Sequence, residues 1–293
     1  MTAEAASRNP PARRIGFAYN PTIEAAIDLR ERAAGWVEIQ GLDHWAAPAA
    51  DQASLREQLG GTDVLVVLGG DGTFLRAAQA VIEAGADVPL LGINVGKVGF
   101  LSKVEAGALE RVLGQLAAGD YGIESRMAME GLIHRIADPD GEPERVVALN
   151  DVVIARGSLA RVVRLETSIG ESHLATFVAD GLIVASPTGS TGYSFSAGGP
   201  ILDPTAKNLV VTPIAGYLAT IRSVVVRPTA RVRCRVVMAD EALVSVDGRQ
   251  DLALSVGDVV EVRALERPVR LVEPAGSLPF WDLVRQKVEL LPS

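Results

Sequence analysis

The sequence holds a single cysteine and three histidines among its 293 residues. One thiol, Cys234, forms no internal disulfide, so no disulfide framework holds this chain and a reducing compartment is expected. Cys234 sits in a strand-like run, Val232-Arg233-Cys234-Arg235-Val236, where a core or edge-strand thiol is expected. The histidines and the cysteine show no metal-ligand spacing, so no resident metal site is expected. No apolar run reaches the roughly 18 residues needed to span a bilayer. Lys and Arg total 28 against 36 Asp and Glu, a net charge of −8, and the basic residues are scattered. That argues against a nucleic-acid-binding surface. The Ala-, Pro- and Arg-rich start, Met1 to Arg14, has no apolar h-region. It reads as a disordered lead-in over residues 1–13, not as a secretory signal. A cytoplasmic protein without membrane or nucleic-acid partners is expected.

Hydrophobic residues make up 48% of the chain, ample for a packed core. The length suits one large domain or two smaller ones. The most informative stretch is Gly69-Gly70-Asp71-Gly72-Thr73. It follows the apolar run Val64 to Leu68 and precedes the helix-like run Phe74 to Ala78, so a strand ends, a turn follows and a helix begins. Backbone N–H groups converge at such a helix N-terminus and favour an anion. Glycines let a phosphate approach the backbone. A carboxylate in the middle of a phosphate-binding turn is repelled by its ligand, so it reads as a base, a magnesium holder or both. The plainer alternative is a tight turn whose Asp71 caps the helix.

Around this motif the first part alternates. Ile15 to Tyr19 reads as a strand, Ile23 to Ala34 as a helix, Trp36 to Ile39 as a short strand and Asp63 to Leu68 as the strand before the motif. Thr73 to Glu83 reads as the following helix, Val88 to Ile93 as a strand and Ala106 to Ala118 as a further helix. Such alternation predicts a parallel sheet with helices on both faces, an α/β domain over residues 14–119. Near Tyr121 the helical period fades and short β-branched runs separated by turns take over. A β-rich domain is expected over residues 120–275. The amphipathic segment Phe280 to Leu290 is expected to be helical, with residues 276–293 returning to the first domain.

In the β-rich part, Asn150-Asp151 interrupts apolar sequence and must be satisfied somehow. An amide beside a carboxylate can read an adenine edge or a ribose diol, or mark a turn or bulge. The stretch Asp180 to Pro200 is dense in hydroxyls and glycine between Ser186 and Ser196, and Tyr193 offers a flat face. Hydroxyls and free amides suit a ligand with phosphates and sugars.

Together these residues resemble NAD kinase, the ATP-dependent family that phosphorylates NAD to NADP. The matching pieces are Gly69 to Thr73, Leu91-Gly92-Ile93-Asn94 through Gly99-Phe100-Leu101, Leu149-Asn150-Asp151, Asp180-Gly181 through Gly199-Pro200, and Val246-Asp247-Gly248. They occur in the family's order. The segment Pro187-Thr188-Gly189-Ser190-Thr191 is the most specific of them, whereas the first motif is shared with lipid kinases. The resemblance implies an N-terminal α/β domain, a β-rich C-terminal domain and NAD bound between them. It implies Asp71 as the general base that takes the proton of the adenosine 2′-hydroxyl as it attacks the γ-phosphate of ATP. Gly70, Gly72, Thr73 and Arg76 are implied near the phosphates, and Phe100 beside the adenine. Asn150 and Asp151 would hold the adenosine. Asp180, Thr191, Tyr193 and Ser196 would line the nicotinamide and ribose pockets. Thr188, Gly192, Ser194, Phe195 and Ala215 complete the implied binding set. Magnesium or another divalent metal would arrive with ATP, with no protein metal site. A homo-oligomer, dimer or tetramer, is implied as well.

The sequence departs from the family pattern at several points. Gly192 stands where alanine is usual, Ser186 where threonine is usual, and Val178 where a basic residue is frequent. Ala215-Gly216-Tyr217 replaces a Cys-Pro-His-like segment, and Arg249 follows Asp247-Gly248 where glutamine is common. Arg161 is the candidate for restoring the charge missing at position 178. The sequence leaves open NAD against NADH, ATP against polyphosphate, and feedback by NADP or NADPH. Two other readings compete: a kinase of the same superfamily acting on a lipid or other small molecule, and a non-catalytic NAD(P)(H)-binding regulator. The hydroxyl-rich loop argues against the first, and Asp71 in a phosphate-facing turn argues against the second.

Overall fold

The computed structural model describes residues 9–96, 99–157, 161–217 and 221–289. The chain forms two compact units, residues 1–125 with 269–293, and residues 126–268. The first unit opens with β1 (Arg14–Tyr19), α1 (Glu24–Ile39), β2 (Asp43–Pro48) and α2 (Gln52–Gln58). It continues with β3 (Val64–Leu68), α3 (Asp71–Glu83), β4 (Leu90–Asn94) and the short β5 (Val104–Glu105). A 3-10 turn leads into α4 (Leu109–Ala118), and β6 (Tyr121–Arg126) follows.

Two expectations are corrected here. Trp36 to Ile39 is not a strand but the last turn of α1. Ala26, Leu29, Ala33 and Val37 recur three or four residues apart and are all buried, so the apolar face of the helix runs through this segment. Gly41, at φ 68°, then ends it. The strand lies further on, where Trp45 and its neighbours pair in parallel with β1. The second correction concerns the lead-in. Residues 1–8 lie outside the described residues, but 9–13 are pinned rather than disordered. The Asn9 N–H donates to the Gly119 carbonyl at 3.1 Å, and the Ala12 N–H to Leu116 at 2.9 Å.

The second unit is built from antiparallel strands. These are β7 (Met129–His134), β8 (Glu144–Ala148), β9 (Asp151–Arg156), β10 (Val163–Ile169), β11 (Ser172–Ala179) and β12 (Gly181–Ala185). A one-turn helix, α5 (Tyr193–Ser196), precedes β13 (Leu209–Ile214), β14 (Val224–Val226) and β15 (Val232–Met238). Then come β16 (Ala242–Val246), β17 (Gln250–Leu254) and β18 (Val259–Ala264). They form two six-stranded sheets, ordered β11-β10-β15-β18-β7-β8 and β14-β13-β12-β9-β16-β17. One apolar core draws on both, from Met129, Leu165, Phe177 and Val260 of one to Ile154, Leu182, Val211 and Val244 of the other. Period-2 alternation is plain in β15, where Val232, Cys234 and Val236 are buried between exposed arginines.

The chain then returns to the first unit as β19 (Val269–Pro274) and α6 (Phe280–Glu289). The completed sheet runs β2-β1-β3-β4-β19-β6, with β5 beside β4. Thus β6 and β19, expected within the β-rich stretch 120–275, belong to the first sheet. Their β-branched composition suits either sheet, and only pairing decides. The β2, β3, β4 and β19 partners are all parallel, and the strands carry continuous buried runs such as Val64 to Leu68. Phe74 is fully buried under α3, which contributes about 1.5–3 kcal/mol and fixes the helix against the sheet.

The thiol of Cys234 is fully buried on a central strand, 3.8 Å from the Thr167 hydroxyl, and burial pushes it up to about 12. It is expected to resist a thiol reagent at about pH 8 in the native protein and to react once per chain in denaturant. Labelling of the native protein at the denatured rate would contradict this placement.

Candidate functional site

The first constellation lies at the carboxyl end of the parallel strands, where ligands bind in open α/β sheets. β3 ends at Leu68, and the Gly69 N–H donates to Ile93 of β4 at 2.9 Å. Gly69 has no room for a side chain, since a Cβ there would lie 2.6 Å from the Thr73 hydroxyl. Gly70 is the N-cap of α3, and Asp71 is the first helical residue. Asp71 does not cap its own helix. Its carboxylate accepts the Phe100 N–H on Oδ2 at 2.9 Å, and the Leu101 and Ser102 N–H groups on Oδ1 at 3.1 and 3.0 Å. A Cβ at Gly99 would overlap this carboxylate. The glycine therefore allows the 99–102 turn to close on Asp71.

Cβ atoms at Gly70 and Gly72 would meet nothing, so the backbone at the start of α3 is open to approach. Thr73 is buried and Arg76 is exposed. The Phe100 ring packs 6.1 Å from Phe280, with the Lys287 ammonium 4.8 Å from its centre. Lys97 and Val98, between the two halves of this motif, lie outside the described residues.

The second constellation belongs to the β-rich unit. The corner Leu149-Asn150-Asp151 points three backbone N–H groups at the Asp247 carboxylate, at 3.1, 2.8 and 3.1 Å. Asp247 and Gly248 both have positive φ, 50° and 65°. This is the backbone that Asp-Gly favours in a tight hairpin, here joining β16 to β17. Arg249 adds an ion pair to Asp247 at 3.2 Å. Burial pushes the Asp247 carboxyl up, against the pull of those N–H groups and of Arg249. Asp151, beside it, is pushed up to about 7 by burial and by the charge of Asp247. Asn150, Asp151, Tyr193, Asp247 and Asp251 share the wall of a cavity of about 420 Å³. The Asn150 Oδ1 atom is buried with no hydrogen-bond partner among the described residues, an unsatisfied acceptor at the edge of that cavity.

The 186–196 loop is shaped from within. A Cβ at Gly189 would overlap the Asn150 carbonyl, so the loop rests against the corner. Ser190 Oγ donates to Pro187 at 2.6 Å, Thr191 Oγ1 donates to the Thr188 carbonyl at 3.2 Å, and Ser194 Oγ pairs with the Thr212 hydroxyl at 3.2 Å. Ser194, expected to meet a ligand, is fully buried and directed into the protein. Thr188 is also buried, beside Arg126 at 3.4 Å. Tyr193, Phe195 and Ser196 are exposed, and a methyl at Gly192 would stand 4.0 Å from both Asn150 Nδ2 and Asp151 Oδ2.

Asp180 is held by Arg156 at 2.8 Å, a partner that sequence reasoning missed. Strand register supplies it, because Ala155 of β9 faces Gly181 of β12. Arg161, the candidate for the charge missing at Val178, instead pairs with Asp240 at 3.3 Å on the surface. Ala215 follows β13 in the left-handed region at φ 47°, which costs about 1–3 kcal/mol for a residue with a Cβ. A separate cleft of about 430 Å³ includes Glu130, Arg263 and Arg267 in its lining. Glu130 there is already paired with Arg145 and Arg263, both at 2.7 Å.

Comparison with known proteins bears on both constellations. The ATP-NAD kinase N-terminal domain matches residues 29–121, and the ATP-NAD kinase C-terminal domain matches residues 149–274. The chain is 45% identical over 266 residues to an NAD kinase of Symbiobacterium thermophilum, covering 90% of this chain and 88% of that one. It is 36% identical over 285 residues to an NAD kinase of Syntrophotalea carbinolica, covering 94% and 98%. Among solved structures, yeast NADH kinase complexed with NADH superposes with a TM-score of 0.83 at 22% identity, covering 99% of this chain and 92% of that one. An NAD kinase from Archaeoglobus fulgidus in complex with ATP gives 0.76 at 23% identity, covering 95% and 100%. These two likenesses establish the fold.

Gly99→Ala forces a methyl into the Asp71 carboxylate and is expected to cost about 1–3 kcal/mol. Denaturant unfolding of the variant checks this, and an unchanged midpoint would contradict the close approach.

Proposed function

This chain belongs to the ATP-NAD kinase family, and from that premise we propose that it phosphorylates the 2′-hydroxyl of the adenosine ribose of NAD with ATP, giving NADP, with Asp71 as general base. The observation that carries this reading is the Asp71 carboxylate at the head of α3, fixed by three backbone N–H donors. A carboxylate offers about four lone-pair sites. Two on Oδ1 and one on Oδ2 are occupied, which leaves a site on Oδ2 for a substrate hydroxyl. The hydroxyl oxygen attacks the γ-phosphorus of ATP, its proton passes to Asp71, and the bond to the bridging oxygen breaks to release ADP. Phosphoryl transfer asks little covalent chemistry of the protein and much positioning. The open backbone at Gly70 and Gly72, with Thr73 and Arg76 beyond, suits the phosphates.

Magnesium carried by ATP would offset charge on the transferred group. Arrival of the ion with the nucleotide is part of the proposal. In the β-rich unit, Asn150, Asp151, Gly192 and Tyr193 border the cavity or its rim and are assigned to the dinucleotide. Asp180, Thr188, Thr191, Phe195, Ser196 and Ala215 belong to the same assignment, and Phe100 to the adenine. Ser194 is assigned a structural part instead. A cytoplasmic homo-oligomer is part of this proposal, and a lone buried thiol that needs no oxidising compartment supports the location.

The test is NADP formation from NAD, ATP and magnesium, run beside Asp71→Asn. Turnover is expected in the wild type and a fall in kcat of about 10²–10⁴-fold in the variant, with NAD binding retained. NAD binding by the wild type without any NADP would overturn the kinase reading in favour of a regulator.

A further inference from the structure

We propose that Asp151 meets the dinucleotide as a neutral carboxylic acid, donating its proton to an acceptor atom of the ligand, and not as a carboxylate. This rests on the reading of NAD as substrate. The geometry of the corner divides the two neighbouring carboxyl groups into unlike roles. All three backbone N–H groups of Leu149, Asn150 and Asp151 go to Asp247, and Arg249 pairs with Asp247 as well. Those four donors favour the charged form of Asp247. Asp151 is 5% exposed, and the three N–H groups of the corner and the Arg249 guanidinium go to Asp247 and not to it. Its Oδ2 lies on the side of Gly192 and Asn150, and it forms part of the wall of the 420 Å³ cavity.

The charged and titratable groups facing Asp151 reinforce this. Asp247 stands on the β16–β17 turn, Asp251 lines the same cavity from β17, and Tyr193 lines it from α5. Arg249, on the same turn as Asp247, is engaged by it. A second ionised carboxyl in this corner would be buried, without those donors and beside a negative charge, which is unfavourable in a low-dielectric site. A dinucleotide brings two more negative charges on its diphosphate, so its arrival favours the neutral acid further. The position of the carboxyl in the free protein, about 7, places the change within reach of experiment.

The sign follows from linkage. If the protonated form binds, NAD affinity is constant below about pH 7 and falls about tenfold per pH unit above it. The dissociation constant of NAD is therefore to be measured by calorimetry from pH 6 to 9 for the wild type, Asp151→Asn and Asp151→Ala. The wild type is expected to weaken with rising pH. Asp151→Asn keeps a donor that cannot ionise, so its profile is expected to be flat. At pH 6, Asp151→Ala is expected to bind more weakly than Asp151→Asn. Wild-type affinity that rises with pH, or a slope that persists in Asp151→Asn, would overturn the proposal while leaving the substrate reading intact. No NAD binding at any pH, together with no NADP formed, would overturn the substrate reading and this inference with it. The wild-type profile decides on its own if either variant fails to fold.

Discussion

The site depends on one constraint: a carboxylate placed at a glycine turn must be held by donors from elsewhere in the chain. Asp71 begins α3, where the helix's own first N–H groups converge and where an anionic ligand would compete for them. Its fixation comes instead from Phe100, Leu101 and Ser102. The N-terminal N–H groups of α3 are thus not used by Asp71, and its carboxylate is set in one orientation. Much of the first unit serves that contact. β3 and β4 pair so that their ends lie side by side, Gly92 lies so close to Leu101 and Ser102 that a Cβ there would collide with them, and Gly99 admits the carboxylate.

The β-rich unit solves a related problem in another way. Its tight Asp-Gly hairpin aims the Asp247 carboxylate at the Leu149–Asp151 corner and satisfies three backbone donors at once. All three N–H groups of the corner are thereby used, and none of them is left for the neighbouring Asp151. One carboxyl is taken up by the backbone of the corner, while the other lines the cavity. The hydroxyl-rich loop follows the same division. Ser190 and Ser194 bond inward and shape the turn, and Tyr193, Phe195 and Ser196 stay exposed.

What could be read in the sequence was local. A buried strand, a glycine turn and a helix start sit within ten residues around Asp71, so the motif and its likeness to ATP-NAD kinases were legible. The Phe100 to Ser102 donors lie 29 to 31 residues later in the chain, and no local pattern announces them. Likewise Arg156 reaches Asp180 through the register of β9 with β12, whereas Arg161, just as basic, is carried to Asp240. Ser194 and Ser196 are the same residue type two positions apart on one helical turn, yet one is buried and the other exposed. The strand error at Trp36 had a different cause. The three apolar residues Trp36, Val37 and Ile39 resemble a strand until the earlier buried positions of α1 are counted with them.

Hydrogen exchange at the 99–102 segment tests the central contact most directly. In the wild type, the amides of Phe100, Leu101 and Ser102 are expected to be protected, and in Asp71→Ala all three are expected to exchange faster while the amides of β3 and β4 keep their protection. Unchanged exchange at these three amides in Asp71→Ala would mean that they are protected by something other than the carboxylate, and would contradict the account of how Asp71 is held.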